Sequence, residues 1–332
     1  MVRSQELLGR SGAGSRRVND LGPRLTTTQR KGAVGSVAVV IVVVAVVLGH
    51  LILQPPAPGS IVLIPQPSAP SSGAPKLTGK VCPVVAGAST ATIQAAVNLC
   101  TNGGTVELAA GTYPLTDHVV VRTSEVITGA GPTLTFLVQH ARRNIFEIDA
   151  PGVTVESMNL NTATYNPGVP PIRKDPVPSV LFSAQSHTSI IDITAEAGTG
   201  FGMRITGPNP CDSYRTTGTI VSNVNVTNTG TGGFTALDVD CTNGATITNV
   251  VIHGDYLALY QDENVDVNGL TVTPGPYEQQ CGAPVYVTGP SNHIRLDNVL
   301  SHGGGIITHG TKNGQVTTLT EVHDTVAPGA PC

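Results

Sequence analysis

The segment Thr219-Ile-Val-Ser-Asn-Val-Asn-Val226 is the strongest indication of the fold of this chain, because similar segments return several times along the sequence. Three close copies and one weaker, earlier copy are present: Thr246-Ile-Thr-Asn-Val-Val-Ile252, Val265-Asp-Val-Asn-Gly-Leu-Thr-Val272, His293-Ile-Arg-Leu-Asp-Asn-Val-Leu300 and Val153-Thr-Val-Glu-Ser-Met-Asn-Leu160. A second kind of β-branched segment follows the copies, and one apolar position in it recurs 20, 28 and 21 residues apart, at Leu237, Leu257, Val285 and Ile306. Several strands per repeat at this spacing predict stacked coils, each burying its inward side chains against the next.

The repeat length and the composition favour a parallel β-helix over other repetitive all-β folds. A propeller blade needs about forty residues. An immunoglobulin-like sandwich favours hairpin turns and an aromatic core, whereas this chain has five Phe, seven Tyr and no Trp. The sequence also lacks the leucine and asparagine pattern of leucine-rich repeats. Asn223, Asn249 and Asn298 fit stacked coils, because amides about 4.8 Å apart can hydrogen-bond between coils, although Asn is also an ordinary turn residue.

The start of the repetitive region contains a more specific pattern. Ser89-Thr-Ala-Thr-Ile-Gln-Ala-Ala-Val-Asn98 predicts a short helix with Ser89 as its N-cap. Three further segments follow: Gly103-Gly-Thr-Val-Glu-Leu-Ala-Ala-Gly-Thr-Tyr113, Val119-Val-Val121 and Ile127-Thr-Gly-Ala-Gly131. This order resembles the start of the pectin-lyase-like superfamily, and the resemblance covers roughly residues 80 to 325. It implies a right-handed parallel β-helix whose open first coil is covered by the helix.

The charge and composition exclude two classes of protein. The net charge is −4 and only 12% of residues are charged, so no domain-wide basic excess exists to neutralise phosphates, and we expect no nucleic-acid partner. Amphipathic stretches rich in Ala, Leu, Glu and Lys are scarce beside Val, Thr, Asn and Gly, which disfavours a helical bundle.

The region before the repeats predicts a membrane anchor. Residues 32–54 contain no Asp, Glu, Lys or Arg and are long enough to cross the ~30 Å hydrocarbon layer as one transmembrane helix. Residues 1–31 carry seven basic and two acidic residues, so we expect a cytoplasmic tail, a Pro-rich linker at 55–79 and an extracytoplasmic β-helix domain at 80–332. A cleaved signal peptide is the alternative, but Gln54-Pro-Pro-Ala-Pro makes a poor cleavage site.

All six cysteines follow the predicted span, and an even number in an exported region favours disulfide bonds. No Cys-x-x-Cys or His-x-x-x-His spacing indicates a metal site. Six cysteines allow fifteen pairings, and some can instead be reduced, buried hydrophobic residues. We expect one bond at the capping helix, one between loops of neighbouring coils and one at the C-terminal end: Cys82–Cys100, Cys211–Cys241 and Cys281–Cys332.

Within the superfamily, residues 232–272 look most similar to the polygalacturonases, which use two carboxyl groups as acid and base. Those enzymes carry Asn-Thr-Asp, Asp-Asp and Gly-His-Gly on successive coils and Arg-x-Lys beyond. Aligned on the repeated strands, these motifs fall on Gly233-Phe-Thr235, Gly254-Asp255 and Gly282-Ala-Pro284, and no Arg-x-Lys follows. His302 lies one coil after the position that the histidine of Gly-His-Gly would occupy. Most of the polygalacturonase catalytic set is therefore missing.

The outward positions of the second kind of segment form a candidate site. The candidate catalytic residues are Asp255 and Asp238, and the candidate substrate-binding residues are Arg204, Asp240, Tyr256, Tyr260, Tyr286 and His309. Arg204 and Asp238 fall in one column, which is also compatible with an exposed ion pair worth under ~1 kcal/mol. The tyrosines offer rings and hydroxyls to a saccharide, or simply pack as cross-strand neighbours.

Two expectations concern the acidic residues of this region. Lyases of the superfamily typically use calcium, so Ca²⁺ is a possible cofactor if the chain is a lyase, and otherwise we expect none. The available oxygen ligands are Asp238, Asp240, Asp255, Asp262, Glu263 and Asp266. We interpret the run Asp262-Glu-Asn-Val-Asp266 as a solvated turn.

Three functions are compatible with the sequence. The first is binding of cell-wall or extracellular polysaccharide by a single-pass membrane protein without efficient cleavage. The second is a glycoside hydrolase or polysaccharide lyase that uses Asp255 and Asp238. The third is a structural or adhesion module in which the β-helix is a rigid spacer.

Overall fold

The computed structural model describes residues 79–162, 179–198, 200–207, 211, 215–228, 235–273, 285–302, 307–309, 319–322 and 325–326. The predicted tail, the predicted membrane span and all but the last residue of the predicted linker lie outside these ranges. Among the described residues, no helix has the length and apolar character needed to cross a membrane.

The described residues form one helix, α1 (Thr90–Leu99), and 24 strands. The strands are β1 (Val81–Val84), β2 (Thr105–Leu108), β3 (Gly111–Leu115), β4 (Val119–Val121), β5 (Val126–Gly129), β6 (Thr135–Gln139), β7 (Phe146–Ile148), β8 (Thr154–Asn161), β9 (Ser179–Ser183), β10 (Ser189–Ala197), β11 (Phe201–Thr206), β12 (Thr216–Thr217), β13 (Ile220–Asn228), β14 (Leu237–Asp240), β15 (Thr242–Asn243), β16 (Thr246–His253), β17 (Leu257–Tyr260), β18 (Glu263–Thr273), β19 (Val285–Thr288), β20 (Asn292–Asp297), β21 (Leu300–Ser301), β22 (Ile307–His309), β23 (Leu319–Val322) and β24 (Thr325–Val326).

The strands form two parallel sheets. The long sheet has 16 strands, whereas the short sheet has eight, in the order β22-β19-β17-β14-β11-β9-β7-β4. Each strand of the short sheet pairs in parallel with strands from the preceding and following coils, as β14 does with β11 and β17. Parallel neighbours about one repeat apart are the arrangement that the sequence predicts, and the fold is an all-β parallel β-helix.

One coil of the helix shows how the chain turns. It leaves the short sheet after β14, bends at Cys241 and Gly244, bends again at Asn249 within β16, and returns through Gly254 to β17. These four residues have φ of 54°, 81°, 52° and 94°. A left-handed backbone is tolerated best by Gly and Asn, so the recurring Gly and Asn mark the corners of the coil. At one corner the amide Nδ2 of Asn249 donates to Oδ1 of Asn223 at 3.2 Å, which confirms an interaction between coils at these asparagines.

The core consists of apolar columns that run along the helix axis. Met203, Leu237, Leu257 and Val285 are successive register partners and are fully buried. The predicted alignment of the last three is therefore confirmed.

The register one coil further differs from the prediction, because Val285 pairs with Ile307 rather than Ile306. The preceding Ser301-His-Gly-Gly-Gly305 offers no alternation of apolar side chains that would fix the register in the sequence. As a result His309 is the register partner of Val287, one residue away from the alignment that the sequence analysis used for it.

The capping helix and two disulfide bonds agree with the predictions. Helix α1 begins after Ser89, whose Oγ accepts a hydrogen bond from the backbone N–H of Thr92 at 3.3 Å, and it buries Ile93 and Val97. A disulfide bond joins Cys82 to Cys100 and fixes the end of the helix to β1. The second predicted bond, Cys211–Cys241, is also present, and the third falls outside the described residues.

Candidate functional site

The outward face of the short sheet carries two rows of side chains, because residues alternate between the core and the surface along each strand. The first row contains Phe182, Arg204, Asp238, Ala258 and Tyr286 as successive register partners. The second row contains Thr206, Asp240 and Tyr260. We call these two rows, together with Tyr256 beside them, the outer strip.

Arg204 and two aspartates form the charged centre of the outer strip. Nε of Arg204 lies 3.1 Å from Oδ2 of Asp238, and its Nη2 donates to Oδ2 of Asp240 at 3.1 Å. The guanidinium carbon also lies 5.1 Å from the centre of the Phe201 ring. Asp238 and Asp240 are only 6% and 9% exposed, so the cluster is not the fully exposed ion pair that the sequence also allowed. Removing Arg204 would leave two buried carboxyl groups without their cation, which is costly.

Burial changes the protonation of this cluster. Burial and, to a smaller extent, the charge of Asp240 raise the pKa of Asp238 to about 7, while Arg204 opposes the shift. Burial also raises the pKa of Asp240, and the hydrogen bonds from Arg204 and from Asp238 lower it. The two carboxyl groups hydrogen-bond to each other, and we expect their shared proton to lie on Asp238 near neutral pH.

A third carboxyl group, Asp262, lies close behind the outer strip and corrects the sequence interpretation. Asp262 is fully buried, so the solvated turn expected for Asp262-Glu-Asn-Val-Asp266 is wrong at its first residue, and the rest of the run lies in β18. Its Oδ1 accepts from the backbone N–H and the hydroxyl of Thr242 at 2.8 and 3.0 Å. Burial raises the pKa of Asp262 well above its ordinary value, and the charges of Asp240 and Asp238 add to this shift. In the sequence, the only indication that Asp262 is buried is Thr242, a residue one coil earlier that can donate hydrogen bonds to it.

Asp255, the other candidate catalytic residue, is a buried carboxyl group with hydrogen-bond partners outside the Arg204 cluster. It is 3% exposed, its Oδ2 accepts from the amide of Asn228 at 3.0 Å, and its Oδ1 accepts from the backbone N–H of Tyr256 at 3.0 Å. Asp238 pairs with Ala258, three residues beyond Asp255, which places the two aspartate α-carbons on the order of 10 Å apart. The carboxyl group that Asp238 contacts is therefore that of Asp240.

The tyrosines of the outer strip lie on the C-terminal side of the acidic cluster. The rings of Tyr256 and Tyr286 make an edge-to-face contact, with centres 6.0 Å apart and planes at 63°. Tyr260, the register partner of Asp240, is 41% exposed. Aromatic surface and charged hydrogen-bonding groups are thus adjacent on one sheet face.

Sequence reasoning missed the N-terminal part of this face. Glu147 and Phe182 continue the row of Arg204 toward the first coils, and His118 lies 3.7 Å from Glu147. The strands that carry these residues are short and lack the recurring pattern, so only the structure defines their register.

The acidic residues do not fit the calcium site that a lyase would need. Glu263 pairs with Arg215 at 3.4 Å and Asp266 with Arg295 at 3.2 Å, both away from Asp238. Across the part of the chain that the structure describes, no three His, Cys, Asp or Glu side chains are grouped in a way that could hold a metal ion. We therefore derive no step through calcium.

Comparison with known proteins finds no matching family model and no matching curated protein. Solved structures with partial similarity include ORF18 of Geobacillus virus E2, at 12% identity and a TM-score of 0.37, covering 74% of this chain and 62% of that one. The rice weevil pectin methyl esterase is similar at 12% identity and a TM-score of 0.45, with 73% and 88% covered. The alginate lyase from Paenibacillus sp. str. FPU-7 is similar at 11% identity and a TM-score of 0.41, with 76% and 97% covered.

These low similarities carry no argument about activity, and the chain spans about three fifths of the viral protein. The class of the protein follows from its own coordinates. Stacked parallel coils, two parallel sheets and a helix over the first coil define a parallel β-helix protein.

Proposed function

We propose that this chain binds polysaccharide along the outer strip. The observation that supports this function is the placement of Tyr260, Tyr256 and Tyr286 beside the Arg204 cluster on one face of the short sheet. Tyrosine rings pack on the apolar faces of sugars, while hydroxyl, carboxyl and guanidinium groups exchange hydrogen bonds with sugar hydroxyls. Successive coils repeat such positions about every 4.8 Å, which suits an elongated ligand better than a compact one.

The proposed location of this activity is outside the cell. Residues 32–54 would anchor the chain as a single transmembrane helix with the N-terminus in the cytoplasm, and the Pro-rich linker would hold the β-helix away from the membrane. Protease accessibility of epitopes placed before residue 32 and after residue 79 in intact cells tests this topology. Cleavage at the first epitope alone would contradict it.

Binding of the purified full chain to a glycan array tests the polysaccharide proposal. We expect retention on at least one polysaccharide, and loss of that retention in the double variant Tyr260→Ala/Tyr286→Ala. Leu134→Ala is a matched control, because Leu134 is 52% exposed and lies outside the short sheet, so it should leave binding unchanged. No binding to any glycan would overturn the proposal, and indifference to both sets of substitutions would favour a structural module.

A second candidate function is hydrolysis of the bound polysaccharide, and the raised pKa of Asp238 favours it. A carboxyl group with a pKa of about 7 holds a proton near neutral pH, as a general acid requires. Asp238 would protonate the leaving glycosidic oxygen, and Asp240 would accept a proton from the attacking water. Carboxyl groups in direct hydrogen-bond contact lie closer than the roughly 5 to 9.5 Å used by glycosidases, so hydrolysis ranks second.

Release of reducing sugar distinguishes hydrolysis from binding. If the chain is a hydrolase, Asp238→Asn should abolish release while leaving the amount of bound polysaccharide unchanged. Absorbance of unsaturated uronides, with and without added calcium, tests the lyase alternative in the same samples. Unchanged turnover in Asp255→Asn would remove Asp255 from the catalytic assignment.

A further inference from the structure

The cation at the centre of the outer strip is already engaged by the protein. Nε of Arg204 faces Asp238 and its Nη2 donates to Asp240, each at 3.1 Å. An Arg that recognises a carboxylate on a ligand uses adjacent N–H groups of this kind in a two-point contact. In Arg204, Nη2 donates to Asp240 and Nε lies at ion-pair distance from Asp238 without a hydrogen bond, so two internal acids occupy this edge of the guanidinium and keep it from an incoming carboxylate.

The surroundings of Arg204 add negative rather than positive charge. Glu147 occupies the same outward row on the N-terminal side of Arg204. Arg215 is engaged by Glu263. A ligand with one carboxylate per sugar would bring repeated negative charge against this face, and like charges in a partly desolvated contact are unfavourable.

The remaining groups suit an uncharged ligand. Tyr256, Tyr260 and Tyr286 provide aromatic surface and neutral hydroxyl groups, and the carboxyl oxygens of Asp240 accept hydrogen bonds from sugar hydroxyls. The same carboxyl groups that repel an anionic ligand can therefore accept hydrogen bonds from the hydroxyl groups of a neutral sugar.

We infer that the outer strip selects neutral polysaccharides and rejects polyuronates, and that Asp240 determines this specificity by occupying Arg204. This inference rests on the proposed polysaccharide-binding function. Selectivity of this kind depends on repulsion as well as attraction, because Asp240 both repels the carboxylates of a polyuronate and pairs with Arg204.

Affinity electrophoresis of the full chain tests the inference in gels that contain a neutral glucan, a neutral mannan, polygalacturonate or alginate. The unsubstituted chain should be retarded by at least one neutral polymer and by neither uronate. Asp240→Asn keeps the shape of the side chain but releases the Nη2 group of Arg204 from its carboxylate. We expect this variant to bind uronate about tenfold more tightly, as a gained charge-assisted hydrogen bond would give, and the gain should fall as salt is raised.

Asp266→Asn provides the matched control. It frees Arg295 from a 3.2 Å ion pair on the long sheet, so it makes the same chemical change outside the outer strip and should gain no uronate binding. Asp238→Asn, which removes the carboxylate that pairs with the Nε group of Arg204, is the second variant if Asp240→Asn does not fold.

The outcomes separate the inference from the proposed function. Uronate binding by the unsubstituted chain, or no gain in a folded Asp240 or Asp238 variant, overturns the specificity while polysaccharide binding stands. Equal gains in the Asp266 control and the strip variants also overturn it, because they would reflect net charge alone. If the chain binds none of the four polymers and no other glycan, the proposed function is wrong, and the inference about specificity is then wrong as well.

Discussion

Glu125 is a buried carboxyl group in one of the first coils, and its replacement gives a quantitative test of how this β-helix tolerates internal charge. Its side chain is 1% exposed, and neither carboxyl oxygen has a hydrogen-bond partner in the protein. Burial raises the pKa of Glu125 from 4.5 to about 7. Proteins usually pair such groups, so the isolated carboxyl should make the fold less stable at high pH.

The sign and size of the effect follow from the raised pKa. The folded chain holds the proton of Glu125 more tightly than the unfolded chain, so the free energy of unfolding should decrease as pH rises. The decrease begins above the unfolded pKa of 4.5 and is complete above the folded pKa of about 7. A difference of 7 − 4.5 units corresponds to a loss of about 3 kcal/mol, most of which falls between pH 5 and pH 8.

Urea unfolding of the full chain and of Glu125→Gln at a series of pH values measures this loss. The amide cannot ionise, so the variant should have nearly the stability of the unsubstituted chain at pH 5 and exceed it by roughly 2 to 3 kcal/mol at pH 8. Glu125→Met removes both unpartnered oxygens and should gain at both pH values. Glu107→Gln is the control, because Glu107 is exposed on β2.

Asp238, Asp240 and Asp262 also have raised pKa values, so the total stability of the chain should fall with pH for several reasons. The difference between the unsubstituted chain and Glu125→Gln isolates the contribution of one residue. Parallel pH curves for these two proteins would refute the reasoning about Glu125.

Two further substitutions test the packing of the coils. Gly202→Ala should destabilise the chain by at least about 2 kcal/mol in urea unfolding, because a Cβ there would lie 2.1 Å from a backbone oxygen of the next coil, and unchanged stability would contradict the register of β11. Cys82→Ser should cost about 3 kcal/mol, since the bond to Cys100 closes a loop of 18 residues. Faster hydrogen exchange in α1 should accompany that loss, and unaltered exchange would show that the helix does not need the bond.

The sequence was sufficient to predict the parts of the fold that depend on repeated burial. Leu237, Leu257 and Val285 occur at equivalent places in similar segments, and an apolar column is the simplest way to bury all three. The pairing of Cys82 with Cys100 could be predicted for the same kind of reason, because a helix between them has to be attached at its end. The apolar column recurs along the sequence and the cysteine pair is local, so both could be predicted from the sequence.

The parts of the site that depend on the corners of the coil could not be predicted. Asp262 looked solvated because acids and Asn surround it, yet the corner at Gln261, with φ of 56°, directs it to the inside next to Thr242. The strand-phase alignment assigned Asp255 to a catalytic position, but it gave no sign that its carboxyl group accepts a hydrogen bond from Asn228. The sequence does not show how the backbone turns at these corners, and the turn sets the direction of the side chains beside it.

The outer strip shows how this fold separates the residues that keep its architecture from the residues that set the chemistry of its surface. The core depends on inward residues such as Val239, whereas Asp238 and Asp240 on the same strand face outward and contact Arg204 from the preceding coil. Exchanging an outward residue alters the chemistry of the face and leaves the apolar column intact, but a slip of one residue within β14 would turn both acids inward. Register is therefore the strict requirement, and the identity of the outward residues is free to vary.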